Sequence, residues 1–159
     1  MKKFKKIIAI GCTVIMSLSM TSMSAFAKQV INYDNGMMMT IYETEEEFDK
    51  VIPRTVDMTF STTLTTTLQY LRSQETYSYI MTLSGDETEI VVVYDNAPKG
   101  MLYTTLYDVT SETFLIDDDG PIKQNYAVSY SGLPKGHKYK LGYRTAIGTE
   151  VVSGSVNSY

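Results

Sequence analysis

Tryptophan is missing from the chain altogether, and cysteine and histidine occur once each, as Cys12 and His137. A single imidazole and a single thiol exclude any centre built on two histidines, and with it the usual zinc ligand sets. Cys12 falls inside an N-terminal leader, so the exported chain is expected to carry no disulfide and no thiol nucleophile. It then has to fold in an oxidising space without covalent cross-links. A Ser/His/Asp triad would have to use His137, which stands in the turn KGHK among lysines, where a solvated loop histidine is the expectation. No GxSxG segment presents a nucleophilic serine either. Paired carboxylates remain available, since acids are plentiful, but most of them stand in turns or at strand ends, and there is no Trp to stack a sugar ring.

Long apolar runs are scarce as well. The one run, Ile7 to Met20, is interrupted by Gly11, Cys12, Thr13 and Ser17 and falls short of the roughly 20 apolar residues that a membrane span needs. Lys2, Lys3, Lys5 and Lys6 precede it, and Ala25-Phe26-Ala27 follows with small residues at the positions a signal peptidase reads. Residues 1–27 are therefore expected to be a secretory signal peptide. Acylation at Cys12 would leave Val14, Ile15, Met16 and Leu18 at the new N-terminus, which argues against a lipoprotein. Four of the fourteen basic residues lie in the leader, leaving ten to face all eighteen Asp and Glu. Such an acidic chain is a poor partner for nucleic acid or anionic lipid. The expected setting is secreted, extracellular and bacterial, with no stable membrane insertion once the leader is removed.

What remains is a succession of short strand patterns. Val30 to Tyr42 places two apolar runs around Asn35-Gly36, a pair that tolerates positive φ and predicts a tight hairpin. Met37 to Met39 reads as gap-filling core or as an exposed, adhesive edge. Thr44 followed by Glu47 makes a capping box that predicts a short acidic helix ending before Pro53. Val56, Met58, Phe60 and Leu64 alternate with Asp57, Thr59, Ser61, Thr63 and Thr65, the pattern of a half-buried strand. Tyr77 to Leu83, Glu89 to Tyr94 and Met101 to Val109 follow at short spacing, and the nearly all-apolar IVVVY predicts a central strand buried on both faces. Phe114 to Ile116 is a weaker segment, succeeded by an acidic turn at Asp117, Asp118 and Asp119 before Gly120 and Pro121. Those three acids offer the oxygen donors and sharp turn that calcium requires, but not the alternate spacing of an EF-hand loop, so a solvated turn is expected.

Three more strands close the sequence, at Tyr126 to Ser131, Lys138 to Thr145 and Glu150 to Val156. Tyr126, Val128 and Tyr130 are expected on one face, as are Tyr139, Leu141 and Tyr143, with Lys138, Lys140 and Arg144 on the reverse of the latter. Between the first two, Leu133, Gly136 and Tyr139 are spaced as in a tyrosine corner. This stretch resembles immunoglobulin-like and fibronectin type III domains, and also the ends of bacterial pre-peptidase C-terminal domains. The resemblance implies that the Tyr139 hydroxyl bonds back to the backbone and that the domain serves adhesion, spacing or ligand display. The chain departs from the antibody type in lacking paired cysteines and Trp.

The fold expected is all-β: an antiparallel, immunoglobulin-like sandwich of about seven to eight strands, with an N-terminal hairpin and one short helix. Residues 28–54 would form the hairpin and helix, and residues 55–159 the sandwich. Thirteen tyrosines exceed the obvious needs of one core. Tyr77, Tyr79, Tyr103 and Tyr107, spaced to share strand faces, are the candidate ligand surface beside the alternative of cross-strand packing. The functional expectation is a non-catalytic extracellular binding or adhesion module without cofactor or metal, whose partner is a surface glycan or an extracellular protein. The alternatives are a self-associating matrix protein, suggested by the Met-rich hairpin, and a small carboxylate-dependent hydrolase.

Overall fold

The computed structural model describes residues 29–49, 58–72, 81–83, 87–96, 98–123 and 126–159. The leader and the candidates Tyr77 and Tyr79 lie outside the described residues. β-Branched and aromatic residues dominate the segments between turns, and these pair into two antiparallel sheets. With strands numbered in chain order, the first sheet runs β1 (Gln29–Asn32), β2 (Met38–Tyr42), β9 (Ala127–Ser131), β6 (Glu89–Tyr94), β11 (Glu150–Ser158) and β3 (Met58–Leu64). The second runs β4 (Gln69–Tyr70), β10 (Lys138–Thr145), β7 (Met101–Asp108) and β8 (Thr113–Lys123), with β5 (Met81–Thr82) also paired to β10. Of the eleven strands among the described residues, β1 and β2 form the hairpin and nine remain against the seven or eight expected; β4, two residues long, is the one that leaves no periodic trace in the sequence. A single helical turn, α1 (Glu45–Asp49), follows β2.

β6 takes the central place that its composition predicts, between β9 and β11. Ile90, Val92 and Tyr94 enter the main core, while Val91 points to the opposite face. There Phe48 of α1 covers it together with Tyr42 and Ala127, the Phe48 and Tyr42 rings meeting edge to face at 5.5 Å. Tyr126 belongs to this outer cluster, 5.9 Å from Phe48, and not with Val128 and Tyr130 in the core. It stands just before β9, so the strand's period of two does not extend to it.

The N-terminal hairpin forms, with Gln29 opposite Ile41 and Asn32 opposite Met38. Tyr33 N–H donates to Met37 O at 2.9 Å, and Gly36 at the tip takes φ 85°. Strand β2 of this hairpin pairs along its whole length with β9. Met37 and Met39 are buried core residues, while Met38, at 37% exposed, and Val30 of the edge strand β1, at 43%, face outward.

The acidic stretch departs most from expectation. Asp117, Asp118, Asp119, Gly120 and Pro121 do not turn; they run within β8, paired with β7 through three register irregularities. Asp118 at φ 50° and Gly120 at φ 145° absorb the bulges. A Cβ on Gly120 would stand 2.7 Å from Leu102 O, so that strand crossing requires glycine. Proline and unusual φ are tolerated here because β8 stands at the edge of its sheet, with no second neighbour among the described residues that needs its N–H groups.

The two sheets share one core, and its centre is polar. Tyr94 and Tyr130 come from the first sheet, and Thr104 and Tyr143 from the second. Thr104 Oγ1 lies 2.9 Å from the Tyr130 hydroxyl, which lies 2.9 Å from that of Tyr143, which is in turn hydrogen-bonded to Tyr94. Burial pushes the Tyr130 phenol up to about 12, with the bonds to Thr104 and Tyr143 offsetting part of the effect. These hydroxyls therefore stay protonated at any physiological pH and can serve as both donors and acceptors.

At the corner between β9 and β10, Leu133 is buried, Gly136 takes φ 72° and the Tyr139 hydroxyl donates to Pro134 O at 2.8 Å. Tyr139→Phe removes that bond while keeping the buried ring, and is expected to cost roughly 0.5–1.5 kcal/mol. Tyr107→Phe should cost nearly nothing. Urea-denaturation midpoints of the two variants check this, and equal midpoints would remove the energetic role of the corner.

Candidate functional site

Strand period two decides which side chains leave the second sheet outward. On β10, Tyr139, Leu141 and Tyr143 are buried in the core, so Lys138, Lys140 and Arg144 emerge on the reverse. On β7, Leu102, Thr104 and Leu106 point inward and Tyr103, Thr105 and Tyr107 outward. Register then brings the two outer rows together. Arg144 stands opposite Tyr103, Gly142 opposite Thr105, and Lys140 opposite Tyr107. Across the remaining neighbours, Tyr70 of β4 stands opposite Gly142, and Phe114 of β8 opposite Tyr107.

The result is an aromatic and cationic face. Tyr107 and Phe114 pack at 4.9 Å between ring centroids, with Phe114 53% exposed. Arg144 lies flat on Tyr103, its guanidinium carbon 3.6 Å from the ring centre. The same guanidinium donates from Nε and one terminal nitrogen to both Asp118 oxygens, each at 2.6 Å. Hydrogen bonding to Asp118 raises the Arg144 pKa and fixes the plane of the group. Gly142 leaves a gap in the face that its neighbours fill. A Cβ there would meet Leu68 Cδ1 at 2.9 Å and Tyr70 Cδ1 at 3.0 Å, so glycine is what lets the Tyr70 ring lie across the strand. Lys140 Nζ stands 5.9 Å above that ring. Burial raises the Tyr70 phenol, with the nearby Tyr107 and the Asp117 carboxylate adding to it.

Of the four tyrosines expected to form a ligand surface, Tyr103 and Tyr107 share this face, while Tyr77 and Tyr79 lie outside the described residues. Tyr70, Phe114, Lys140 and Arg144 join them without having been picked out as a site. The outward position of Lys140 and Arg144 is legible in the alternation around Tyr139. Tyr70 belongs to a two-residue strand, and Phe114 to a bulged one, so neither shows a period.

The three adjacent acids do not converge. Asp118 holds Arg144, while Asp119 accepts from the Tyr33 hydroxyl at 2.7 Å and so ties the hairpin tip of the first sheet to β8 of the second. Burial, then the bond to Asp119, pushes the Tyr33 phenol well above its ordinary range. Asn35 adds a second tie, donating to Leu115 O at 3.0 Å. Among the described residues, no group of three His, Cys, Asp or Glu side chains could hold a metal ion.

His137 is not the solvated loop residue that its lysine neighbours suggest. Its Nδ1 lies 2.8 Å from Oδ2 of the buried Asp108, and its ring stacks on Tyr139 at 6.4 Å. Asp108 also accepts from the N–H groups of Thr110 at 2.9 Å and Ser111 at 3.2 Å. Burial alone would raise this carboxyl, but the bonds from His137, Ser111 and Thr110 together outweigh it and hold the pKa below its usual value. The contribution of Asp108 to stability is therefore complete above its unfolded pKa, about 3.9, and is lost as pH falls through the lower folded value. The stability difference between the wild type and Asp108→Asn should be constant above about pH 5 and shrink below about pH 4. Denaturation midpoints measured against pH check this; a difference that persists unchanged to pH 2 would contradict it.

The chain matches no protein family, and comparison with curated proteins and with solved structures finds no significant match.

Proposed function

We propose that this chain is a secreted, non-catalytic module that binds an extracellular glycan on the outer face of its second sheet, within an immunoglobulin-like β-sandwich. The observation that carries the reading is the set of four rings, Tyr70, Tyr103, Tyr107 and Phe114, on one sheet face and outside both buried clusters. Rings on a sheet offer flat apolar surface to the C–H faces of sugars, and their hydroxyls and neighbouring cations offer hydrogen bonds to the rims. Strand positions hold those rings in fixed register, so little ordering entropy opposes binding. The export signal and the tyrosine corner support the same reading.

The alternatives have less behind them. Self-association was suggested by the Met-rich hairpin; two of its three methionines, Met37 and Met39, are in the core, which leaves Met38 and Val30 as its exposed apolar side chains. A carboxylate hydrolase needs an acid held in its protonated form near neutral pH. Here Asp118 is bound to Arg144, Asp119 accepts a phenol, and Asp108 is held below its usual pKa.

Glycan arrays followed by calorimetry on the purified protein test this. Saturable binding without hydrolysis is expected, and Tyr107→Ala should weaken it about three- to tenfold, the worth of one ring contact. Product release, or affinity untouched by Tyr107→Ala and Phe114→Ala together, would overturn the reading.

A further inference from the structure

Strand β3 stands at the edge of the first sheet, with β11 as its one neighbour among the described residues. We propose that this edge joins a second copy of the chain, antiparallel and centred on Thr62, so that the protein is a twofold dimer with one sheet running through both copies. The inference concerns the other sheet from the glycan reading and does not depend on it.

Comparison of the sheet edges singles out β3. An edge strand invites pairing with another chain, and proteins blunt it by shortness, bulges, proline or charge. β8 has its register irregularities, Pro121 and the acids Asp117 to Asp119. β1 is four residues long, and β4 and β5 are two each. β3 has seven residues, no charge and no proline, and it pairs with β11 at seven consecutive positions without a shift. Its outward side chains, Thr59, Ser61 and Thr63, are exposed.

An orphaned hydroxyl on the same strand says what fits there. Thr62 is only 8% exposed, between the fully buried Phe60 and Leu64, and its Oγ1 has no hydrogen-bond partner. Native structures rarely leave a buried hydroxyl in that condition. A twofold axis at Thr62 sets this residue opposite its own copy on one face of the joined sheet, with about 4.5–5.5 Å between Cβ atoms. A rotation about χ1 then lets one hydroxyl donate to the other. The remaining pairs agree: Phe60 meets the second copy's Leu64 on the inner face, and Ser61 meets its Thr63 on the outer. The ladder stops there, because beyond Leu64 the chain leaves for the second sheet, where Thr65 O accepts from Thr145 N–H at 2.8 Å. A second copy reproduces this order by symmetry, whereas an unrelated strand would have to match it residue by residue.

Five residue pairs make a small seam beside the roughly 1,200–2,000 Å² of a standard stable interface, so a weak, reversible dimer is expected. An axis normal to the joined sheet keeps both second sheets on one side. Their aromatic faces then point the same way, and a polymer that reaches both is held at two sites.

Sedimentation velocity of the purified protein, from roughly 1 μM to 1 mM, tests the seam. A monomer–dimer equilibrium that stops at two copies is expected. Ser61→Lys puts on the edge the charge that proteins use against pairing and should weaken the dimer at least about tenfold, while Val30→Lys on β1 should leave it unchanged. Thr62→Val deletes the hydroxyl and keeps the shape. It should weaken the dimer about three- to tenfold without lowering the denaturation midpoint of the dilute monomer. Unchanged midpoints for the two lysine variants would certify their folds. A monomer at every concentration would overturn the proposal, as would association that grows past two copies. Dimers that survive Ser61→Lys, or that Val30→Lys dissolves, would overturn the β3 seam. A dimer indifferent to Thr62→Val would overturn the register centred on that residue. None of these readouts involves a saccharide, so their failure would leave the glycan reading standing.

Discussion

A row of hydroxyls through the core, from Tyr94 to Tyr143 to Tyr130 to Thr104, is the constraint on which the rest of the structure depends. The hydroxyl row spans both sheets, and each phenol satisfies its neighbour inside the buried core. A hydroxyl buried without a partner costs roughly 1–3 kcal/mol, so the sheets have to meet in the one register that completes the row. Apolar contacts such as Phe60 against Tyr94, at 6.3 Å, supply the bulk of the burial but tolerate small slips. The hydroxyls do not. In a chain without structural cysteine, they fix the relation between sheets that a cross-link fixes elsewhere.

The outer face follows from that registration. Placing Tyr143 inside forces Lys140 and Arg144 outside, and placing Thr104 inside sends Tyr103 and Thr105 outward. Two further ties close the flank between the sheets, Tyr33 to Asp119 and Asn35 to Leu115. They hold β8 through its bulges, and β8 carries Asp118, which clamps Arg144 on Tyr103. Core, flank and face are thus one mechanical series. A surface ring keeps its position because the strand that carries it is registered by buried hydroxyls on that strand and its neighbours.

Alternation made much of this legible. The central position of IVVVY, the Met58–Leu64 strand, the hairpin and the split of β10 into a core row and a cationic row all follow from the sequence read at period two. Three features did not. The Asp117 to Pro121 stretch carries every local mark of a turn, but an edge strand can bulge around such residues. His137 looks solvated among lysines because its partner, Asp108, is 29 residues away on another strand. Tyr70 matters only because Gly142 opposite it has no side chain, a cross-strand complement that no single segment displays.

Among the described tyrosines, Tyr94, Tyr130 and Tyr143 join their hydroxyls inside the core, and Tyr70, Tyr103 and Tyr107 stand on the outer face of the second sheet. The account stands on the first group acting as a coupled unit, and a double-mutant cycle on Tyr130→Phe and Tyr143→Phe measures that coupling by urea denaturation. If the hydroxyl row is one network, the second substitution costs less once the first is made, with a coupling of about 1 kcal/mol or more. Costs that add to within about 0.5 kcal/mol would show that the hydroxyls act independently, and the row would not be what registers the two sheets.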